Sequence, residues 1–208
     1  MFIDRAGIPF ILIALALGAL AAWGGGRAWS VPFLVLAAFF VFFFRDPDRT
    51  TPTDPNLIVS PADGRVMIAG DQPTKGAPKG EWRRISIFLS PMDVHVNRTP
   101  VGGTVTHVEY HPGSFLPAYK VEAGELNEWT EVWFETNGRP VVCRQIVGIL
   151  ARRIVCRVKK GDAVERGQRF GVMKFGSRID LYVPPDANIL VKPGDRTVAG
   201  ETVLARVP

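Results

Sequence analysis

Charge is almost absent from the first part of this sequence. Between residues 6 and 44 the only charged residue is Arg27, whereas the rest of the 208-residue chain carries nearly all of the charge. The apolar stretches 6–23 and 28–44 each lie at the short end of what crosses a bilayer. Glycines separate them. The pattern predicts an N-terminal apolar helical hairpin over residues 1–45 that anchors the chain in a membrane.

Three alternatives explain part of this apolar region. A secretory signal peptide accounts for the first stretch but not for the second. Two buried core helices conflict with the very apolar residues 41–44, and a single membrane span is the third alternative. Arg5, Arg45 and Arg49 flank the hairpin, whereas Arg27 lies in its turn. By the positive-inside rule, we expect a cell-membrane protein whose polar domain faces the cytoplasm.

Cysteine and runs of basic residues are scarce as well. The two cysteines, Cys143 and Cys156, form no C-x-x-C motif, so we expect buried reduced thiols and neither a disulfide nor a metal site. The net charge of +5 suits an anionic surface. No run of Lys and Arg interleaved with aromatic residues is present. Membrane lipid is therefore the predicted partner, and nucleic acid is not.

Helical periodicity is hard to find after residue 45. Short alternating runs between glycines and prolines, such as 84–89, 132–134 and 179–183, are typical of β-strands instead. One short helix is predicted near residues 117–123. The fold class that follows is mainly β, with a β-rich domain over residues 46–208 preceded by the apolar helical hairpin.

A weak internal repeat refines this prediction. Residues 158–162 and 191–195 each contain Gly-Asp, and each is followed at the same step by another glycine, Gly167 and Gly200. The pattern resembles the turns of lipoyl- and biotinyl-carrier folds and favours a barrel-sandwich-like β domain. Two ordinary hairpins account for it equally, because Gly-Asp is a common turn pair.

Three segments hold residue types suited to nucleophilic catalysis. Asp93 and His95 are two residues apart, so on an extended strand both point to one face, where a carboxylate can orient an imidazole. Ser177 follows Gly176 between two strand-like runs, and Asp63 opens the polar domain. An Asp, a His and a Ser from distant segments can form a catalytic group. Each segment taken alone is equally well a surface turn.

Five motifs in order resemble the short form of the phosphatidylserine decarboxylase family. They are residues 60–64 (Ser-Pro-Ala-Asp-Gly), 89–95 (Leu-Ser-Pro-Met-Asp-Val-His), 127–128 (Asn-Glu), 145–148 (Gln-Ile-Val-Gly) with 151–154 (Ala-Arg-Arg-Ile), and 175–180 (Phe-Gly-Ser-Arg-Ile-Asp). The resemblance runs from about Asp46 to the C-terminus, and the apolar N-terminus also fits.

The resemblance implies a self-cleaving proenzyme. Cleavage between Gly176 and Ser177 would give a large chain, 1–176, and a small chain, 177–208, and would turn Ser177 into a covalent pyruvoyl cofactor. That group would form a Schiff base with phosphatidylserine and release CO2 to give phosphatidylethanolamine, without a metal. The two chains would stay bound to each other, and a second copy of the chain is kept as a candidate partner.

The resemblance also implies roles for individual residues. Asp63, His95 and Ser177 match positions tied to processing and catalysis, and Asp93 matches the Asp before that His. Longer members have a second His where this chain has Arg98, so either His95 performs both duties or processing relies on Asp63 and Asp93. Another departure is a tryptophan at position 129, where the family often has Arg.

Two other functions compete with this interpretation. Met173-Lys174 is similar to the Met-Lys pair of biotin carriers, although the following residues differ from the carrier sequence. A serine hydrolase could use Ser177. Such enzymes usually place their serine in a Gly-x-Ser-x-Gly turn, and the glycines here do not give that spacing.

Overall fold

The computed structural model describes residues 2–70, 76–149, 154–174 and 177–208. The chain forms two compact units, Met1–Asp48 and Arg49–Pro208. The predicted boundary at residue 45 marks the end of a membrane anchor, and the one at the 176/177 bond marks a cleavage site. Both stay predictions.

The first unit is the helical hairpin expected from the sequence. Helix α1 (Ile8–Gly25) leads through a 3-10 turn (Arg27–Ser30) into α2 (Val31–Phe43). The short strands β1 (Phe2–Ile3) and β2 (Arg45–Asp46) pair antiparallel and close the open end of the hairpin.

The helices begin and end where the sequence chemistry allows. Pro9 and Pro32 lie in the first turns, where the missing N–H has no partner to lose. Gly26 ends α1 with a φ of 91°, which favours glycine. The rings of Phe10 and Phe40 are 5.4 Å apart, as an antiparallel helix pair requires. Among the described residues α1 is long and apolar enough to cross a membrane, and α2 is shorter.

The second unit is mainly β, as predicted. Its elements are β3 (Leu57–Val59), β4 (Gly64–Gly70), β5 (Arg83–Leu89), β6 (Val96–Arg98), β7 (Gly103–His111), α3 (Ala123–Leu126), β8 (Trp129–Thr136), β9 (Arg139–Val147), β10 (Ile154–Cys156), β11 (Ala163–Val164), β12 (Arg169–Met173), β13 (Ser177–Val183), β14 (Asn188–Ile189), β15 (Arg196–Thr197) and β16 (Val203–Arg206). The three predicted strands lie within β5, β8 and β13. The predicted short helix forms later in the chain, as α3.

The strands make one large sheet and two small ones. The eight-stranded sheet has the order β11-β7-β8-β9-β13-β5-β4-β15, and the small sheets are β10-β12-β6 and β14-β16-β3. Strand β13 lies in the middle of the large sheet and is buried along its whole length. Its alternate residues Ile179, Leu181 and Val183 belong to the hydrophobic core, together with residues from the small sheets such as Phe170 and Leu204. The core therefore lies on one face of the large sheet.

The internal repeat of the sequence is also a repeat of main-chain hydrogen bonds. The N–H of Gly161 donates to the Val105 carbonyl at 2.7 Å. In the second copy, the N–H of Gly194 donates to the Val66 carbonyl at 2.8 Å. Gly161 and Gly194 have φ angles of 93° and 98°, which explains why glycine stands at both positions.

The segments before β4 and β7, the two strands that accept these turn hydrogen bonds, are also hydrogen-bonded to each other. The N–H of Val59 donates to the Pro100 carbonyl at 2.9 Å. The N–H of Arg98 donates to the Pro61 carbonyl, again at 2.9 Å. The same bond made in both directions indicates an approximate twofold axis between the segment before β4 and the segment before β7.

Candidate active site

Ser177 is the first residue of β13 and lies at one end of the large sheet. It pairs with Leu89, the last residue of β5, and with Val147, the last residue of β9. Strand β4 begins at the same end, because Arg65 pairs with Phe88. We call this end of the sheet, with the chain segments that meet there, the Ser177 end.

The Ser177 side chain points into the protein interior. Strand residues alternate between faces, so Ser177 shares a face with the core residues Ile179 and Leu181. Ser177 is fully buried, and its Oγ has no hydrogen-bond partner among the described residues. A buried hydroxyl without a partner costs about 1–3 kcal/mol. Such a group requires an explanation.

His95 is held by the main chain near this end. Its ring is fully buried, and Nδ1 lies 2.9 Å from the carbonyl oxygen of Asp93. A carbonyl oxygen only accepts, so Nδ1 carries a proton, and in the neutral form of the imidazole the lone pair is then on Nε2. The carbonyl of His95 accepts the N–H of Met173 at 3.2 Å, four residues before Ser177 in the chain.

The Asp93 carboxylate closes the turn that leads to His95. It accepts the N–H of Ser90 at 2.8 Å, and the N–H of Asp93 donates to the Ser90 carbonyl at 3.0 Å. The other carboxylate oxygen is 3.7 Å from the guanidinium of Arg196. Asp93 therefore orients the imidazole through its carbonyl, while its carboxylate stabilises the turn.

Asp63 lies just before β4, at the Ser177 end. Its carboxylate accepts the N–H of Ala199 at 2.8 Å and is bound by Arg49 at 2.8 and 3.0 Å. Burial raises the pKa of Asp63 above its ordinary value. The bonds to Ala199 and Arg49 oppose this rise, and the negative charge of Asp93 adds to it.

The predicted site residues converge on one region. Asp63 precedes β4, Asp93 and His95 follow β5, and Ser177 begins β13, and these strand ends meet at the Ser177 end. Gly176 lies outside the described residues. The catalytic roles assigned to these residues stay predictions.

Arg98, which replaces the second His of longer family members, is directed away from the neighbouring side chain of Asn97. Successive strand residues point to opposite faces, and the Arg98 guanidinium donates to the Gly167 carbonyl at 2.9 Å. Arg98 is nearly fully buried there. Arg98 therefore joins β6 to the turn before β12, and this contact stabilises the fold.

Two buried amides at the site were assigned no role from the sequence. Gln145 on β9 donates from Nε2 to Oδ1 of Asn97 on β6 at 2.7 Å, and both residues are fully buried. The remaining groups, Asn97 Nδ2 and Gln145 Oε1, have no partner among the described residues. The available signal was a glutamine in the otherwise largely apolar residues 141–147, where a polar side chain needs a reason.

The other face of β13 carries buried ion pairs. Arg178 donates to both carboxylate oxygens of Asp180 at 2.6 Å, and neither side chain is more than 1% exposed. Arg84 on β5 lies 3.8 Å from Asp180. Arg178 also donates to the Lys120 carbonyl at 3.3 Å, which ties β13 to the loop before α3. These contacts fix the strand that begins with Ser177.

Metal-binding clusters and disulfides do not occur in the described part of the chain. No group of three or more His, Cys, Asp or Glu side chains is arranged there to hold a metal ion. Cys143 and Cys156 are both free thiols. Cys143 is fully buried, and burial raises its thiol pKa well above the ordinary value, which keeps it protonated.

Known proteins resemble this chain over nearly its whole length. The family model of phosphatidylserine decarboxylase matches residues 36–205. A phosphatidylserine decarboxylase proenzyme of Symbiobacterium thermophilum is 46% identical, covering 99% of this chain and 96% of the relative. The proenzyme of Salinibacter ruber is 47% identical over 90% of this chain and 86% of its own length. That of Solibacter usitatus is 43% identical over 99% and 97%.

The chain is thus an enzyme of the carboxy-lyase class, a decarboxylase with a mainly β domain of several sheets. It belongs to the phosphatidylserine decarboxylase family. The carrier and serine-hydrolase interpretations have no support in these relationships.

Proposed function

We propose that this chain is a phosphatidylserine decarboxylase proenzyme that cleaves itself between Gly176 and Ser177. Ser177 then becomes the pyruvoyl group that converts phosphatidylserine to phosphatidylethanolamine. The observation that carries the proposal is the buried Ser177 Oγ, which lacks a partner among the described residues at the start of the central strand. The proenzyme names of relatives covered over nearly their whole length support it.

Self-cleavage starts from the Ser177 hydroxyl. An unaided serine is a weak nucleophile, so a base must take its proton. His95 is that base, because the Asp93 carbonyl holds the proton on Nδ1 and leaves Nε2 as the accepting nitrogen. Attack on the Gly176 carbonyl converts the amide to an ester. Loss of the α-proton expels the Gly176 carboxylate, and water hydrolyses the resulting dehydroalanine to the pyruvoyl group and ammonia.

The interior around Ser177 fits such a group, because it contains buried polar atoms without partners among the described residues. Once formed from Ser177, the pyruvoyl group would supply a carbonyl that binds the substrate amine and withdraws electrons as CO2 leaves. His95 donates the proton that replaces the carboxylate on the substrate carbon, since imidazole exchanges protons near neutral pH. This assignment gives His95 both duties, in the absence of a second His at Arg98.

Asp63 supplies negative charge to the same region. Its carboxylate is fixed by Arg49 and Ala199 and lies close enough to Asp93 for their charges to interact. A fixed carboxylate stabilises the imidazolium that forms when His95 takes a proton. Asp63 therefore assists processing and catalysis through electrostatics, while Asp93 positions the imidazole.

The large and small chains remain together after cleavage. Strand β13 is paired along its length with β5 on one side and β9 on the other. The same small chain contributes β15, which pairs with β4, and β16, which pairs with β3. Breaking one peptide bond leaves all of these contacts, so 1–176 and 177–208 form one stable unit.

A lipid bilayer is the partner that fits the surface of the Ser177 end. Met92 follows β5 and is 64% exposed, and Ile149 follows β9 and is 55% exposed. The loop with the exposed side chains Phe115, Tyr119 and Leu126 is joined to the end of β9 by Asn127, which donates to the Val147 carbonyl at 2.8 Å. With α1 as anchor, the enzyme acts at the cell membrane, and its β domain faces the cytoplasm. A second copy of the chain stays a predicted partner.

The test is the intact mass of the purified protein under denaturing conditions. We expect two chains, 1–176 and a pyruvoyl-blocked 177–208, and a single uncut chain for Ser177→Ala. A preparation that decarboxylates phosphatidylserine while its 208-residue chain is uncut would contradict the proposal.

A further inference from the structure

The buried amides of Asn97 and Gln145 connect the two sheets beside the proposed site. Asn97 comes from β6, in a small sheet, and Gln145 from β9, in the large sheet. Their single hydrogen bond of 2.7 Å is the contact between them. The packing is tight, because a side chain at Gly171 would meet the Gln145 amide.

This bond leaves the amino group of Asn97 and the carbonyl oxygen of Gln145 unused. A side-chain amide offers two N–H groups and one carbonyl oxygen. Asn97 Nδ2 and Gln145 Oε1 have no partner among the described residues, although both are buried. If both amides were flipped, one amide oxygen and one amide nitrogen of the pair would still lack a partner among the described residues. Because buried polar groups are normally hydrogen-bonded, the pair is suited to a ligand with a complementary acceptor and donor.

The register places this pair on the Ser177 side of the interior. Gln145 is opposite Ile179 on β13, and Val147 is opposite Ser177. Gln145 and Ser177 are therefore diagonal neighbours on one face, roughly 7–8 Å apart, a separation that a glutamine side chain can bridge. Asn97 is the second residue of β6, and His95 comes directly before that strand.

We propose that the Asn97–Gln145 pair recognises the α-amino carboxylate head group of the substrate. Gln145 Oε1 accepts an N–H of the substrate amine, and Asn97 Nδ2 donates to the substrate carboxylate. A neutral amide orients a carboxylate without the strong ion pair that would stabilise it against loss as CO2. This assignment rests on the proposed decarboxylase function, and it separates head-group recognition from self-cleavage.

The test is the double variant Asn97→Leu with Gln145→Met. It replaces both amides by apolar side chains of similar size, so neither amide loses its partner and remains buried alone. We expect normal cleavage at Gly176–Ser177 by intact mass. We expect kcat/KM for phosphatidylserine to fall roughly 10- to 100-fold, as for lost hydrogen bonds to charged groups.

A second readout separates recognition from the reactivity of the cofactor. Methoxyamine, an amine without a carboxylate, should label the small chain of the double variant as fast as that of the unmodified protein. Cyanoborohydride trapping of phosphatidylserine on the same chain should fall in parallel with kcat/KM. Thr130→Val, opposite Gln145 on β8, is the matched control and should trap lipid normally.

Unchanged lipid trapping and kcat/KM in the double variant would overturn the assignment. So would a folded double variant that fails to cleave, because the pair would then serve processing. If the double variant does not fold, Gln145→Met alone decides by the same two readouts. Failure of the proposed function would look different, since the unmodified protein itself would remain uncut and would take up no methoxyamine.

Discussion

The main-chain carbonyl oxygen of Asp93 lies 2.9 Å from Nδ1 of His95 and orients the imidazole. In a serine-protease triad a carboxylate has this place, and its replacement by an amide lowers the rate about 10⁴-fold. A main-chain carbonyl is unaffected by a change of side chain. The side chain of Asp93 should therefore matter less here than sequence spacing suggests.

The first prediction concerns the Asp93 side chain. Asp93→Asn keeps an oxygen that can accept the Ser90 N–H and leaves the carbonyl in place. We expect self-cleavage within about tenfold of the unmodified rate, far from the loss seen in a carboxylate triad. His95→Ala should stay uncut. Mass spectrometry during refolding or cell-free synthesis measures the cleavage rate of both variants. An Asp93→Asn protein that stays as uncut as His95→Ala would contradict the orienting role of the carbonyl.

The second prediction is a pH dependence caused by Asp63. Its pKa is raised in the folded protein above 3.8, so in the window from 3.8 up to the folded pKa the native state binds more protons. Asp63 therefore lowers the stability as pH rises through that window. Asp63→Asn, made in the uncut Ser177→Ala protein, should flatten the fall of Tm there. Identical Tm-against-pH curves with and without Asp63 would contradict the burial of its charge.

The third prediction concerns the buried ion pair on the face of β13 opposite Ser177. Asp180→Ala leaves the guanidinium of Arg178 buried without its bidentate partner, which should lower the free energy of unfolding by about 3–5 kcal/mol. Replacing both, as Arg178→Met with Asp180→Leu, should recover much of the loss. The midpoints of urea unfolding in detergent measure the loss and the recovery of stability. Equal midpoints for the single and double variants would indicate that the buried charge is not the cause.

The fourth prediction addresses the position where longer family members have histidine. Arg98→His removes the bond to the Gly167 carbonyl on a side facing away from Asn97. We expect a less stable protein, by about 1–3 kcal/mol, and no faster self-cleavage. Arg98→Lys is the control, since its amine can still reach a carbonyl. Accelerated processing in Arg98→His would show that position 98 can reach the site after all.

Much of the fold could be predicted from local patterns. The two uncharged stretches on either side of the glycines predicted the hairpin, and alternation predicted strands such as β5 and β13. The register could not be predicted, because pairing of β13 with both β5 and β9 joins residues that are far apart in sequence.

The site was predictable as a set of segments but not as a set of contacts. Motifs indicated Asp63, His95 and Ser177, yet the sequence cannot show that a carbonyl rather than a carboxylate holds the imidazole. Likewise, the amides of Asn97 and Gln145 meet across two sheets, so their partnership exists only after folding.

The approximate twofold arrangement means that the molecule contains an internal control for Asp63. A further pair of bonds follows this arrangement: the Gly200 N–H donates to the Ser60 carbonyl at 2.8 Å, and the Gly167 N–H donates to the Thr99 carbonyl at 2.9 Å. Three residues after Thr99, the counterpart of Asp63 is a glycine. The Gly167–Thr99 hydrogen bond thus forms in a segment that has no carboxylate at the matching position. Folding alone therefore does not account for an acidic residue at position 63.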